Sequence, residues 1–221
     1  MMKKILTMMF ALCLAFGLTA CSGGSSGGSS EEAAETENTA KTAAEEQTEA
    51  PEAPGSAGSD ESSGNETLVV YFSATGTTKG VAEKIASVTG ADIYEIKAAR
   101  EYTDADLDWN DSDSRTTHEQ NDASARPEIG SDPVSLEGYR TIYIGYPIWW
   151  GEEPRIMDTF VESHDFDGIT MIPFCTSGGS GIGRSGKNLA DNAGSGNWLD
   201  GDRLESGVSE DEIRAWIDGL K

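Results

Sequence analysis

Three short runs, residues 67–72, 141–147 and 169–175, are almost wholly apolar and rich in Val, Ile, Tyr and Phe. Runs this short, apolar on consecutive rather than alternate residues, fit strands covered on both faces, the situation of a parallel sheet between two helical layers. The segments between them have the other periodicity. Residues 76–88 place Val81, Ile85 and Val88 at helical spacing, with Gly90 as a stop. Residues 153–163 turn Ile156, Phe160 and Val161 to one side, and residues 184–192 form a further helical stretch. Residues 91–97 read as an edge strand and 198–204 as a last strand. A final helix over 209–220 opens with Ser209 and Glu212 in capping-box spacing. Residues 98–133 form a long, polar, acidic insertion with a short helix near 112–120. Strand and helix in alternation predict an α/β fold, an open, doubly wound sheet with ligands at the carboxyl ends of its strands.

Three loops follow the three apolar runs, and they carry the chemistry. After the first come Ser73, Ala74, Thr75, Gly76, Thr77 and Thr78, opening directly into a helix. Hydroxyls and consecutive backbone amides at the positive end of a helix form a donor surface for a phosphate monoester, with no need of Lys or Arg. After the second come Pro147, Ile148, Trp149, Trp150 and Gly151. Two adjacent indoles in a loop are either core plugs or a platform for a planar ligand, and since adjacent side chains diverge, one of each is expected. After the third, Cys175 is followed by Thr176, Ser177, Gly178, Gly179, Ser180 and Gly181, a stretch whose glycines let backbone amides approach the edge of a flat ligand.

These three segments resemble the flavodoxin family. Ser73, Thr75, Gly76, Thr77 and Thr78 match its [ST]-x-T-G-x-T phosphate loop position by position. Pro147 to Gly151 followed by Pro154 looks most like a branch that includes secreted lipoproteins. The resemblance covers about 67–220. It implies a flavodoxin-like, five-stranded parallel sheet in the order 2-1-3-4-5, FMN as cofactor, and the residues of the three loops as its binding site. The third loop departs from the pattern in lacking an aromatic residue to stack on the flavin. Trp149 or Trp150 is then the first candidate, with Tyr102 and Trp109 of the insertion behind them. Gly181, Gly183 and Gly186 also satisfy G-x-G-x-x-G, but several residues past the strand and in the wrong βα unit for a dinucleotide site.

No Ser-His-Asp order, metal-ligand spacing or HExxH helix accompanies these loops, so neither a catalytic residue nor a metal site is expected, and His118 and His164 read as surface residues. The redox work falls to the cofactor. Glu152 and Glu153 directly follow the tryptophan loop and are expected to disfavour negative charge on the flavin, and Cys175 is expected to be buried and inert. The expected function is electron transfer to redox partner proteins or small extracellular acceptors. The alternatives are an FMN-dependent NAD(P)H or quinone reductase on the same fold, and a surface binding module without flavin.

The N-terminal third has another character. Residues 1–20 carry Lys3 and Lys4, an apolar stretch and a small-residue exit, the layout of a secretory signal, and Leu18, Thr19 and Ala20 before Cys21 look like a bacterial lipobox. Cys21 is therefore expected to be lipidated, anchoring the protein to the outer face of the cell membrane. Residues 22–66 have no aromatic residue and eleven acids against one Lys, a composition that cannot bury enough apolar area to fold. They read as a tether of ~35–40 Å root-mean-square span. The net charge of −23 argues against nucleic acid and leaves lipid as the only route to a membrane.

Overall fold

The structure is a computed structural model that describes residues 65–220. The leader, Cys21 and nearly all of the tether lie outside them. The strands are β1 (Thr67–Phe72), β2 (Asp92–Ile96), β3 (Thr141–Pro147), β4 (Thr170–Thr176), β5 (Asn197–Trp198) and β6 (Asp202–Arg203). The helices are α1 (Thr77–Thr89), α2 (Arg115–Asn121), α3 (Arg155–Glu162), α4 (Ser185–Ala193) and α5 (Glu210–Gly219). All strand pairs are parallel, in the order β2-β1-β3-β4-β5, with β6 also on β4. This is the flavodoxin-like order that the sequence resemblance implied.

The sheet is apolar on both sides because both are covered. Val69, Tyr71, Tyr143, Ile172 and Phe174 pack with Val81, Ala82 and Ile85 of α1 and Ile213 of α5. Leu68, Val70, Ile142, Ile144, Tyr146 and Met171 pack with Ile156, Met157 and Phe160 of α3 and Leu189 of α4. α5 carries the full capping box between Ser209 and Glu212.

The fifth strand position differs from the single strand expected over 198–204, and Pro173 supplies the reason. The carbonyls of Ile169, Met171 and Cys175 accept from Asn197, Leu199 and Leu204, so alternate residues of β4 face this edge, and Pro173 is one of them. Proline has no N–H to offer. The partner chain leaves the ladder there: Met171 pairs with Trp198 and Phe174 with Asp202, so three residues span a gap of two. Gly201 fits because a Cβ there would lie 2.3 Å from the Pro173 carbonyl oxygen.

The insertion between β2 and β3 is tied at its base by Ala99 N–H to Glu128 O and Gly130 N–H to Lys97 O, both 2.8 Å. Ser114 caps α2 by accepting from Thr117 N–H. The Arg115 guanidinium lies 3.9 Å from the Tyr102 ring centre and donates to Glu119 at 2.6 Å, which holds the insertion together, and the Tyr102 ring packs on Phe72 at the end of β1 and on Trp149 just after β3.

Candidate functional site

The loop after β1 turns into α1 through Gly76, whose φ of 86° is a left-handed conformation that only glycine adopts without strain. No side chain caps α1, so the amides of its first turn have no intrahelical acceptor and no cap to satisfy them. The Ser73 hydroxyl is buried and has no hydrogen-bond partner. Thr78 is used differently: its Oγ1 is buried and shares a hydrogen bond of 2.8 Å with Thr176 Oγ1. Ile148 N–H donates to Thr176 O at 2.9 Å. Thr176 therefore joins all three loops at one point.

The second loop is a tight reverse turn. Trp149 and Glu152 exchange backbone hydrogen bonds of 2.9 and 3.0 Å, and the two residues between them have positive φ, 51° for Trp150 and 85° for Gly151. This is the pattern of a type I′ turn, and a bulky residue in it is strained. The two indoles part company, as adjacent side chains must. Trp149 is wedged edge-on against Phe72 and Tyr102, with ring centres at 5.6 and 5.3 Å. Trp150 is 45% exposed. Gln120 braces the turn from behind, donating to the carbonyls of Trp149 and Glu153 at 3.0 and 3.2 Å.

Between the first two loops lies a cavity of about 390 Å³. Ser73, Ala74, Thr75, Thr77 and Thr78 line one end; Pro147, Ile148, Trp149 and Trp150 line the other. The insertion adds Leu107, Trp109 and Thr116. No charged side chain is among them. Leu107 and Thr116 escaped the sequence reading, which had no pattern by which to find them. Trp109 had a signal, a single indole in a polar acidic stretch, and it stands 73% exposed at the cavity. Tyr102 is occupied by Trp149, Phe72 and Arg115.

The third loop touches the other two but supplies none of the residues that line the cavity. Thr176 is tied to Thr78, and Gly183 comes close to the second loop, since a Cβ there would lie 3.6 Å from Gly151 O. Ser177, Gly178, Gly179, Ser180 and Gly181 do not line the cavity; the loop closes on itself as Ser177 Oγ donates to Ser180 O. Gly183 and Gly186 of the G-x-G-x-x-G pattern border a different depression, between α4 and Leu199–Gly201, and Gly186 packs on the Pro173 ring.

Glu152 and Glu153 are both engaged by the protein. Arg155 donates to Glu152 at 2.8 Å, and the Glu153 side chain turns into the layer between α3 and α4, accepting from Asn188 at 3.2 Å. Neither lines the cavity. Burial pushes the Glu153 carboxyl up to about 7, aided by Asp158. Cys175 is buried as expected, and burial pushes its thiol up to about 12. His118 is exposed, but the His164 ring packs 4.3 Å from that of Phe160.

A flavodoxin family model matches residues 66–220 of the chain. The chain belongs to the flavodoxin family. A candidate flavoprotein of Bacteroides uniformis is 48% identical over 70% of this chain and 99% of its own, with a TM-score of 0.67. One of Bacteroides eggerthii is 47% identical over 70% and 96%, with a TM-score of 0.66. A Lactobacillus acidophilus flavoprotein, solved in complex with FMN, shares the fold at 24% identity, over 69% of this chain and 99% of its own, with a TM-score of 0.54. No protein of curated function matches the sequence. Among the described residues of this flavodoxin domain, no group of three or more His, Cys, Asp or Glu side chains is placed to hold a metal ion.

Proposed function

We propose that the domain binds FMN in the cavity between the first two loops and serves as an electron carrier. The observation that carries this reading is the buried, unpartnered Ser73 hydroxyl at the mouth of an uncapped helix, in a cavity without charged side chains. A buried hydroxyl left without a partner costs about 1–3 kcal/mol, and a phosphate oxygen would satisfy it together with the first-turn amides. Thr75 and Thr77 add exposed hydroxyls to the same end. At the other end Trp150, Pro147, Ile148 and Trp109 offer flat apolar walls to a fused ring system. FMN supplies one- and two-electron redox chemistry when bound. The protein's part is to hold it, keep water from it and set the electrostatic field around it.

Titration of the purified protein with FMN tests this. The expected result is strong quenching of flavin emission by the indoles, much reduced in Trp150→Ala. Unaltered emission from a colourless protein would overturn it and favour a flavin-free binding module. A second reading, an FMN-dependent NAD(P)H or quinone reductase, draws on the position of Leu107 and Trp109, which give the cavity a wall from outside the three loops. Sustained NADH or NADPH oxidation with quinones would select it.

The proposed place of work is outside the cytoplasmic membrane, on the acidic tether behind a lipidated Cys21; the lipobox pattern and the composition of residues 22–66 support this. Partners would be redox proteins or small extracellular acceptors. Cys21→Ser is expected to shift the protein from the membrane to the soluble fraction of cells, and unchanged membrane association would remove the lipid anchor.

A further inference from the structure

Five buried side-chain atoms of the described residues lack a hydrogen-bond partner. Ser73 Oγ is accounted for above. The other four, Gln120 Oε1, Glu153 Oε1, Arg155 Nε and Asp158 Oδ2, belong to one cluster where α3 meets α4 and the end of α2. Buried polar groups are rarely left unpaired, so this cluster calls for a partner that the protein's own side chains do not supply.

The geometry says where it sits. Glu153 and Asp158 are each 1% exposed and Arg155 8%. One oxygen of each acid is taken, Glu153 Oε2 by Asn188 at 3.2 Å and Asp158 Oδ1 by Asn192 at 2.9 Å. The free oxygens both face Arg155 Nη1, at 3.8 Å for Glu153 Oε1 and 3.5 Å for Asp158 Oδ2. These separations are long for direct hydrogen bonds and suit a bridging water with several polar neighbours. Charge adds a second requirement. Two buried carboxylates share one guanidinium, which also serves the half-exposed Glu152. One proton would bring the buried set to neutrality.

We propose that Glu153, Asp158 and Arg155 form an internal site that binds one water molecule and one proton, and that filling it holds the Trp149–Glu152 turn against the FMN cavity. The proton comes from solvent and sits on the Glu153 carboxyl, and no other bond is made or broken. Burial raises both acids from their ordinary range, Glu153 to about 7, which keeps the proton in place near neutrality. The surroundings agree from every side. α4 presents the neutral Asn188 and Asn192, and β3 the Tyr146 hydroxyl, which is bonded to Ser185 at 3.0 Å. Beyond α2, Asp122 interacts with Arg155, and Arg126 with Asp158, but Arg126 is held by Glu162 at 2.6 Å.

The link to the cavity is short. Arg155 Nη2 donates to Glu152 Oε2 at 2.8 Å and to Gln120 O at 3.2 Å, and Gln120 in turn donates to Trp149 O and Glu153 O. The strained Trp150 is therefore held from behind by the cluster. Losing the proton leaves an excess buried anion, relieved when Glu153 swings toward water, two residues from Gly151.

The site stands without the FMN reading; its effect on the turn is read through FMN, and the two arms of the test separate them. In ¹³C-carboxyl NMR of the intact protein without ligand, one Glu signal is expected to titrate between pH 6 and 8, to vanish in Glu153→Gln, and to move to lower pH in Asp158→Asn. FMN affinity is expected to fall about tenfold from pH 7 to 9, where the phosphate is already a dianion, and to stay within twofold in Glu153→Gln. If no Glu titrates above pH 6, the proton site is wrong. Equal pH slopes in the two proteins would break the link to the turn. A protein that binds no FMN at any pH sinks the cofactor assignment, while the NMR arm still decides the site.

Discussion

Thr77→Glu is expected to weaken FMN binding by 100-fold or more while leaving the fold as stable as before, or slightly more so. Thr77 is the first residue of α1, directly after the left-handed Gly76, and its side chain is exposed at the cavity. A carboxylate there meets the positive end of the helix, a contact worth about 0.3–1 kcal/mol to the folded protein. The same carboxylate would stand within ~5 Å of a phosphate seated in the loop. At an effective dielectric of about 20, each unit charge repels another at that distance by about 3 kcal/mol, and a phosphate monoester carries more than one. The loop has no Lys or Arg lining to offset this. Binding and stability are thus driven in opposite directions by one substitution, a result that loss of fold cannot imitate. Fluorescence titration gives the affinity and thermal unfolding the stability. An affinity within tenfold of the parent protein would mean that no phosphate sits at this helix end.

The second large effect is on stability against pH. Glu153→Gln is expected to stabilise the protein at pH 8 by about 2–3 kcal/mol and to change it little at pH 5. The Glu153 carboxyl is raised from 4.5 to about 7, chiefly by burial and further by Asp158, against the pull of its own backbone amide, Asn188 and Arg155. A carboxyl whose folded value is raised binds its proton more tightly in the folded chain than in the unfolded one. Its stabilising contribution is full below pH 4.5 and is lost as pH rises through about 7. At about 1.4 kcal/mol per pH unit the loss comes to about 3 kcal/mol. Glutamine keeps the neutral shape and cannot ionise, so the variant lacks this decline. The opposing possibility is an ion pair of Glu153 with Arg155, but 3.8 Å exceeds a hydrogen bond and Arg155 already holds Glu152 at 2.8 Å. Urea unfolding of both proteins at the two pH values decides it. A variant less stable than the parent at pH 8 would show that the ion pair outweighs burial.

The two predictions differ in how far the sequence foresaw them. The geometry of the loop after β1 was legible because it is local: Ser73 to Thr78 are consecutive, and a strand entering a helix through one glycine sets where their amides point. The tryptophan pair was half legible. That the two indoles diverge follows from their being neighbours, but their assignment depends on Phe72 and Tyr102, which come from two other segments. Trp109 was visible as a residue and not as a wall, since its place depends on Arg115, Tyr102 and Thr116 folding the insertion over the sheet. The side-chain directions of Glu152 and Glu153 were not legible for the same reason. Their nearness to the loop in sequence says nothing of direction: Arg155 holds Glu152, and Asn188 draws Glu153 into the α3–α4 layer.

From the sequence alone came the alternating strands and helices, the parallel sheet buried on both faces, and the positions of the loops at its carboxyl edge. All of these rest on periodicity and on turns within a few residues, where backbone sterics decide. Tertiary structure alone decided which side chains share the cavity, why the fifth strand breaks beside Pro173, and that Glu153, next to the tryptophan loop, is buried in the α3–α4 layer and does not line the cavity. Those outcomes depend on groups far apart in the chain meeting in a space closed to water, where desolvation and unpaired hydrogen-bonding groups weigh more than anything a local pattern records.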